Sequence, residues 1–236
     1  MSSLTPCFIL HQRPYRETSL LLDVLSQQFG RVSLIAKGVR KQKRSQMGLY
    51  QLYQPLLIEW IGRGELQTLT QIETMSPRYI LKAESALCGL YINELMVKLL
   101  PLHEPEQAIF SAYQNALESL QMMENTQLTL RLFEKRLLSQ LGYGLVLERE
   151  FENGQLIKQQ QQYYYQADAG LARWYPGQKQ TAISGRSLQH LADESGFDSE
   201  SLKEIKQMMR SVLNFYLDGK PLQSRQLFTE LHRLNK

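Results

Sequence analysis

Between Gly30 and Arg44 the chain reads GRVSLIAKGVRKQKR, with Arg31, Lys37, Arg40, Lys41, Lys43 and Arg44 as cations and no carboxylate among them. The chemistry open to such a run is reversible neutralisation of phosphates. Flexible cations track a polyanionic backbone without reading its sequence, and counterions are released as they do so. The first half alternates like a strand, Val32, Leu34 and Ala36 facing one way and Arg31, Ser33, Ile35 and Lys37 the other. The second half has no apolar period and reads as an exposed loop. A small strand feeding a loop of cations puts a positive tip on a rigid scaffold. A charge run alone also serves simply to keep a loop solvated, so its surroundings decide.

What must hold that tip is a set of short strands. Cys7–His11, Ser19–Ser26, Arg31–Lys37, Leu56–Ile61 and Leu66–Met75 are rich in Leu, Ile, Val, Phe and Thr. Arg13-Pro14, Gln28-Phe29-Gly30, Gly38 and Gly62-Arg63-Gly64 punctuate them, with Gly30 and the Gly62/Gly64 pair supplying the positive φ of tight hairpins. So many strands in 75 residues predict a small closed barrel, because closure removes exposed edges. The oligonucleotide-binding barrel, or OB-fold, is the expected form; strand count alone also admits an SH3-like barrel.

After Ser76-Pro77 the apolar period changes to that of helices. Leu87, Leu90, Tyr91, Leu95, Met96 and Leu99 form a stripe ending before Pro101. Pro105 opens a second helix carrying Ile109, Phe110, Tyr113, Leu117 and Leu120, and a third runs from about Gln127 to Leu141. Three amphipathic helices can bury one another. Residues 145–185 read as a small extended segment in which Tyr163–Tyr165 fill a hairpin, with helices resuming at Ser187–Glu194, at Ser199–Leu217 and after Asp218-Gly219-Lys220-Pro221. The fold class is therefore α+β: a barrel domain over 1–77, a central helical domain over 78–144, and a C-terminal extended segment with helices packed on it over 145–236.

The charge distribution follows that division. Residues 1–70 hold nine Lys/Arg against four Asp/Glu, 71–200 eleven against sixteen, and 201–236 seven against three. Basic ends around an acidic middle suit a polyanion-binding head on a protein-contacting body. Cys7 and Cys88 are far apart in apolar neighbourhoods, a reduced, intracellular pattern. MSSLTPCFIL lacks the charged start of a signal peptide, and no apolar run approaches a membrane span. A cytoplasmic protein is expected. His11, His103, His190 and His232 are scattered, and no GxSxG, HExxH, Walker loop or GxGxxG is present, so catalysis and metal binding are unsupported.

Particular strings carry a resemblance. ILHQRPYRETSLLLDV (9–24), the basic run itself, GRGELQTL (62–69), LYINELMVKLL (90–100), LRLFEKRLLSQLGYG (130–144), SGRSL (184–188) and DGKPLQSRQLF (218–228) resemble, in order, segments of the bacterial RecO family of recombination mediators. The resemblance covers nearly the whole chain. It implies an N-terminal OB-fold, a helical body and a non-catalytic, nucleoid-associated role in the RecF/RecO/RecR pathway. Members bind single- and double-stranded DNA, anneal complementary strands and help load RecA onto DNA coated by single-strand-binding protein, whose C-terminal tail they engage along with RecR. Many relatives carry four zinc-binding cysteines; residues 144–186 here contain none, so a metal-free, cofactor-free protein is expected.

On this reading Lys37, Arg40, Lys41, Lys43 and Arg44 hold the phosphates, and Arg13, Arg31 and Arg63 at strand ends extend the patch. Tyr15 and Tyr50 flank it, as stacking platforms or as barrel filler. The resemblance assigns the tail-binding arginine to the LRxFE string, Arg131 here. Lys135 shares its helix face four residues on, and Phe133, Leu130 and Leu137 supply apolar surface. Leu87, Leu90, Tyr91 and Leu95 wall the slot or form bundle core. An RNA-binding OB protein is the alternative that barrel and basic loop alone would permit.

Overall fold

The computed structural model describes residues 3–41 and 48–234. Strands β1 (Thr5–Tyr15), β2 (Ser19–Ser26), β3 (Gly30–Ala36), β4 (Leu56–Ile61) and β5 (Leu66–Thr74) close into a barrel in the order β1-β2-β3-β5-β4. Closure runs through a short parallel pairing of β3 with β5, the OB-fold arrangement of the two that the strand count admits. In β3 the alternation is complete: Val32, Leu34 and Ala36 are buried, and Arg31, Ser33 and Ile35 are half-exposed. The barrel core gathers these with Cys7, Ile9, Leu22, Val24, Leu56, Ile58 and Trp60.

One sequence boundary differs. Arg13-Pro14 does not end β1, because Pro14 still pairs opposite Leu20. β1 meets β4 only at Thr5–Cys7, so beyond Cys7 one edge of the strand has no ladder. A missing N–H is tolerated on such an edge. Gly30 is obligatory for two reasons: its φ is +67°, and a Cβ there would lie 2.0 Å from the carbonyl oxygen of Glu104.

The chain packs as two compact units, Met1–Glu124 with Leu222–Lys236, and Asn125–Pro221. In the first, α1 (Ala83–Leu99) packs against β1 and against α2 (Gln107–Gln121). Buried Asn93 ties the three together: its amide donates to the Leu10 carbonyl at 2.9 Å and its oxygen accepts the Tyr113 hydroxyl at 2.8 Å. In the second, α3 (Thr126–Gln140) packs on α5 (Ser199–Tyr216), beside α4 (Gly185–Asp193) and a sheet of order β7-β6-β8 built from β6 (Gln162–Gln166), β7 (Gly170–Arg173) and β8 (Ile183–Ser184). The expectation that the first three helices bury one another is met by α1 with α2, whereas α3 has its helical partner in α5. Tyr163 is fully buried in the β6–β7 hairpin, as filler should be.

The last helix, α6 (Gln223–Leu234), packs on α1 within the first unit. Its first turn is capped from outside by Glu94, which accepts the Gln223 and Ser224 N–H groups at 2.9 Å each and the Ser224 hydroxyl at 2.7 Å. Burial raises the Glu94 pKa, but the bonds from Ser224, Gln223 and Lys98 outweigh it and hold it below the ordinary carboxylate value. A depressed folded-state pKa contributes stability above the unfolded value that is lost as pH falls through the folded one. Docking of α6 should therefore loosen below about pH 4.5, the ordinary value. At neutral pH, Glu94→Ala should cost about 1–3 kcal/mol, read as faster amide exchange across α6.

Candidate nucleic-acid interface

The β1–β2 and β2–β3 pairings bring three chain segments to one end of the barrel. Tyr15 pairs with Ser19 and Leu20 with Ala36, so the β1–β2 turn and the exit of β3 are neighbours. Lys37 leaves β3 exposed, Gly38 turns the chain at φ +71°, and Val39–Lys41 forms one 3-10 turn anchored by buried Val39. The Arg40 N–H donates to the Thr18 carbonyl at 2.9 Å. Its guanidinium donates to the carbonyls of Arg16 and Glu17 at 3.2 Å each, strapping the loop to the β1–β2 turn. Arg16, in the left-handed region at φ +51°, lays its guanidinium over the half-buried Tyr15 ring, 5.3 Å from the centroid. Arg13 stands exposed on β1 opposite Leu21.

Arg13, Arg16, Lys37, Arg40 and Lys41 thus share one exposed end, with Glu17 the carboxylate among them. Lys43 and Arg44 lie outside the described residues. Arg16 escapes a sequence reading because Glu17 follows it directly and it joins the patch only through the turn. Tyr50 is buried in the barrel core and takes the role of filler.

Arg31 and Arg63 belong to the other end. Six residues of strand at about 3.3 Å each separate Arg31 from Lys37 by about 20 Å. Arg31 also has structural partners there: its Nε donates to the Leu100 carbonyl at 2.9 Å and Nη1 to Asp23 at 3.2 Å. Arg63 is exposed in the β4–β5 turn, next to the start of β5, and β5 begins beside Ser33.

The residues read as a peptide slot are divided between the units. On α3, Arg131 is only 4% exposed and its Nη2 donates to buried Glu134 at 2.6 Å, while Phe133 is core. Glu134 stands three residues on, a spacing at which helix side chains meet. Lys135 donates to the Leu191 and Ala192 carbonyls at the end of α4, and both Lys135 and Arg136 pair with Glu194 at 3.1 Å. In the first unit Tyr91 and Leu95 are buried, Leu90 is half-buried, and the Arg225 guanidinium lies over the Tyr91 ring.

Among the described residues no three His, Cys, Asp or Glu side chains converge as metal ligands would. Burial pushes the Cys7 thiol up to about 12, against a bond to Ser26 that lowers it, so it is no thiolate at neutral pH. No helix of the described residues is long and apolar enough to cross a membrane. The exposed cationic end of the barrel has the chemistry that suits a phosphate backbone.

Residues 1–78 match the family described as recombination protein O N terminal, and residues 82–226 match recombination protein O C terminal. The chain is 44% identical over 235 residues to a protein of Nitrosococcus oceani named DNA repair protein RecO, covering 98% of this chain and 94% of that one. It is 43% identical over 225 residues to the protein of that name from Coxiella burnetii, covering 95% and 97%. A third, from Methylococcus capsulatus, is 39% identical over 95% of this chain and 92% of its own length.

Proposed function

We infer, since the chain belongs to the recombination protein O family of DNA repair proteins, that it acts as a non-catalytic mediator of recombinational repair. In this reading it binds single- and double-stranded DNA at the basic end of the barrel and anneals complementary strands. With RecR it helps load RecA onto DNA coated by single-strand-binding protein, in the cytoplasm and at the nucleoid. The observation that carries it is the meeting of Arg13, Arg16, Lys37, Arg40 and Lys41, from separate turns, on one exposed end. Cations that neutralise phosphates while leaving bases free suit annealing, because a held strand can still pair.

The tail of single-strand-binding protein, acidic and ending in a free carboxylate, is assigned to Arg131. Glu134 already holds that guanidinium, so the tail carboxylate has to compete for it, with Lys135 and Arg136 at the surface as its first contacts. Anisotropy titrations with single-stranded DNA, matched RNA and a labelled tail peptide test the whole reading. Preference for DNA together with tail binding is expected; preference for RNA without tail binding would replace it with an RNA-metabolic role.

Metal should play no part. The purified protein is expected to hold no stoichiometric zinc, and chelation should leave its Tm unchanged, since four-ligand sites normally contribute to folding. One equivalent by elemental analysis would overturn this.

A further inference from the structure

At the basic end of the barrel one aromatic ring stays out of the core. Tyr15, the last residue of β1, is half-buried, and among the described residues it is neither in the barrel core nor one of the side chains packed against it. Register sets what shares its face. Opposed residues of an antiparallel pair point to the same side of the sheet, and that side recurs at every second residue. Arg13, Leu21 and Ile35 form one outward row across β1, β2 and β3. Tyr15 and Ser19 begin the next row, and Lys37 continues it, being the residue after Ala36, which pairs with Leu20. Arg13 thus stands about 7 Å from Tyr15 along β1, and Lys37 about 10 Å away across two strand spacings.

A cation already covers that ring. The Arg16 guanidinium lies 5.3 Å from the Tyr15 centroid and has no ion pair among the described residues. The turn that places it is fixed: Arg16 takes φ +51°, a region that residues other than glycine seldom occupy, and its carbonyl accepts from Arg40 at 3.2 Å. An exposed guanidinium on an aromatic ring is a weak contact, worth about two- to fivefold in an equilibrium. A nucleobase stacked on a ring is worth about five- to a hundredfold, so the exchange of one for the other favours the base.

We propose that Tyr15 is the base-stacking platform of the barrel and Arg16 its exchangeable cover: an unpaired base takes the ring face, and the guanidinium moves to a phosphate. Arg13 and Lys37 hold the flanking phosphates. This role rests on the reading of the barrel end as a DNA site and deepens it by naming the form of DNA that is preferred. In a duplex every base is paired and stacked on its neighbours, so no face is offered to the ring. The cations grip both forms; Tyr15 favours the single strand. A ring accepts any base, so sequence is not read, and one ring engages one base and leaves its neighbours free to pair.

The test is anisotropy on the full chain with labelled oligo(dT) and with a labelled duplex of equal length, across salt concentrations. Tyr15→Leu should weaken oligo(dT) binding about tenfold, with its log–log salt slope and the duplex affinity unchanged, and Tyr15→Phe, which keeps a ring, should restore it. Arg16→Gln should lower the oligo(dT) slope by roughly 0.7 units, the loss of one phosphate contact. In wild-type protein, an irradiated oligonucleotide carrying iodouracil should crosslink at Tyr15, a reading that needs no variant to fold. Equal weakening of oligo(dT) and duplex by Tyr15→Leu would make the ring a mere support of the turn and overturn the proposal. Wild-type oligo(dT) affinity in that variant, with no crosslink at Tyr15, would overturn it too. Lys37→Gln/Lys41→Gln separates the two readings. A slope lowered there by roughly 1.4 units with Tyr15→Leu silent sinks the stacking role alone, whereas an unchanged slope with no crosslink takes DNA away from the barrel end altogether.

Discussion

Replacing Lys37, Arg40, Lys41, Lys43 and Arg44 together by neutral residues is expected to lower the salt slope of single-stranded DNA binding by roughly 3.5 units, about 0.7 for each lost phosphate contact. With affinities converging near molar salt, a change of that size corresponds to a loss of about three and a half orders of magnitude at 0.1 M. The structure refines the experiment. Arg40 also straps the β1–β2 turn through the Arg16 and Glu17 carbonyls, so its replacement alone mixes lost charge with a loosened turn. A companion variant, Arg13→Gln/Arg16→Gln, should lower the slope by roughly 1.4 units. Arg63→Gln, at the far end of the barrel, measures how far the patch extends; an unchanged slope there would confine the strand to the basic end. If the five-residue variant binds with the wild-type slope, DNA is gripped elsewhere.

The barrel was legible because period-two burial writes itself directly into composition: the strands read from sequence match β2 and β4 in full and differ elsewhere only at their ends. The extension of β1 through Pro14 was not legible. It depends on which edge of β1 lacks a neighbour, and a local pattern carries no record of that. The stripe on α3 announced a buried face but not what covers it, and the covering helix, α5, begins some sixty residues later. The candidate site divides in the same way. Lys37, Arg40 and Lys41 are adjacent in sequence and remain together in space. Arg31 looked equivalent to them, but about 20 Å of strand carries it to the opposite end, where Asp23 and the Leu100 carbonyl hold it. Charge says which residues can meet phosphate; only register says which of them stand together.

Arg131→Ala is expected to cost about 3–5 kcal/mol of stability, because it withdraws a guanidinium from a carboxylate that remains buried. Arg131 and Glu134 have side chains 5% and 1% exposed and lie 2.6 Å apart. At about 2–4 °C per kcal/mol for a chain of this size, Tm should fall by roughly 6–20 °C. The single variant is therefore a poor probe of peptide binding, since a weakened body could release any ligand. Arg131→Met/Glu134→Leu removes both charges and keeps the volume, and buried pairs replaced in this way are often neutral or stabilising. The double variant should recover most of the Tm. It should still bind the tail peptide roughly ten- to a hundredfold more weakly, the cost of losing one charge-assisted bond to the tail carboxylate. Naked-DNA binding and annealing of bare strands, assigned to the barrel, should change little, whereas activity on strands coated with single-strand-binding protein should fall. A Tm unmoved by Arg131→Ala would contradict the buried pair. A recovered double variant that binds the tail at full strength would show that Arg131 serves the fold alone, and the acidic tail would then fall to Lys135 and Arg136, the cations that Glu194 holds at the surface.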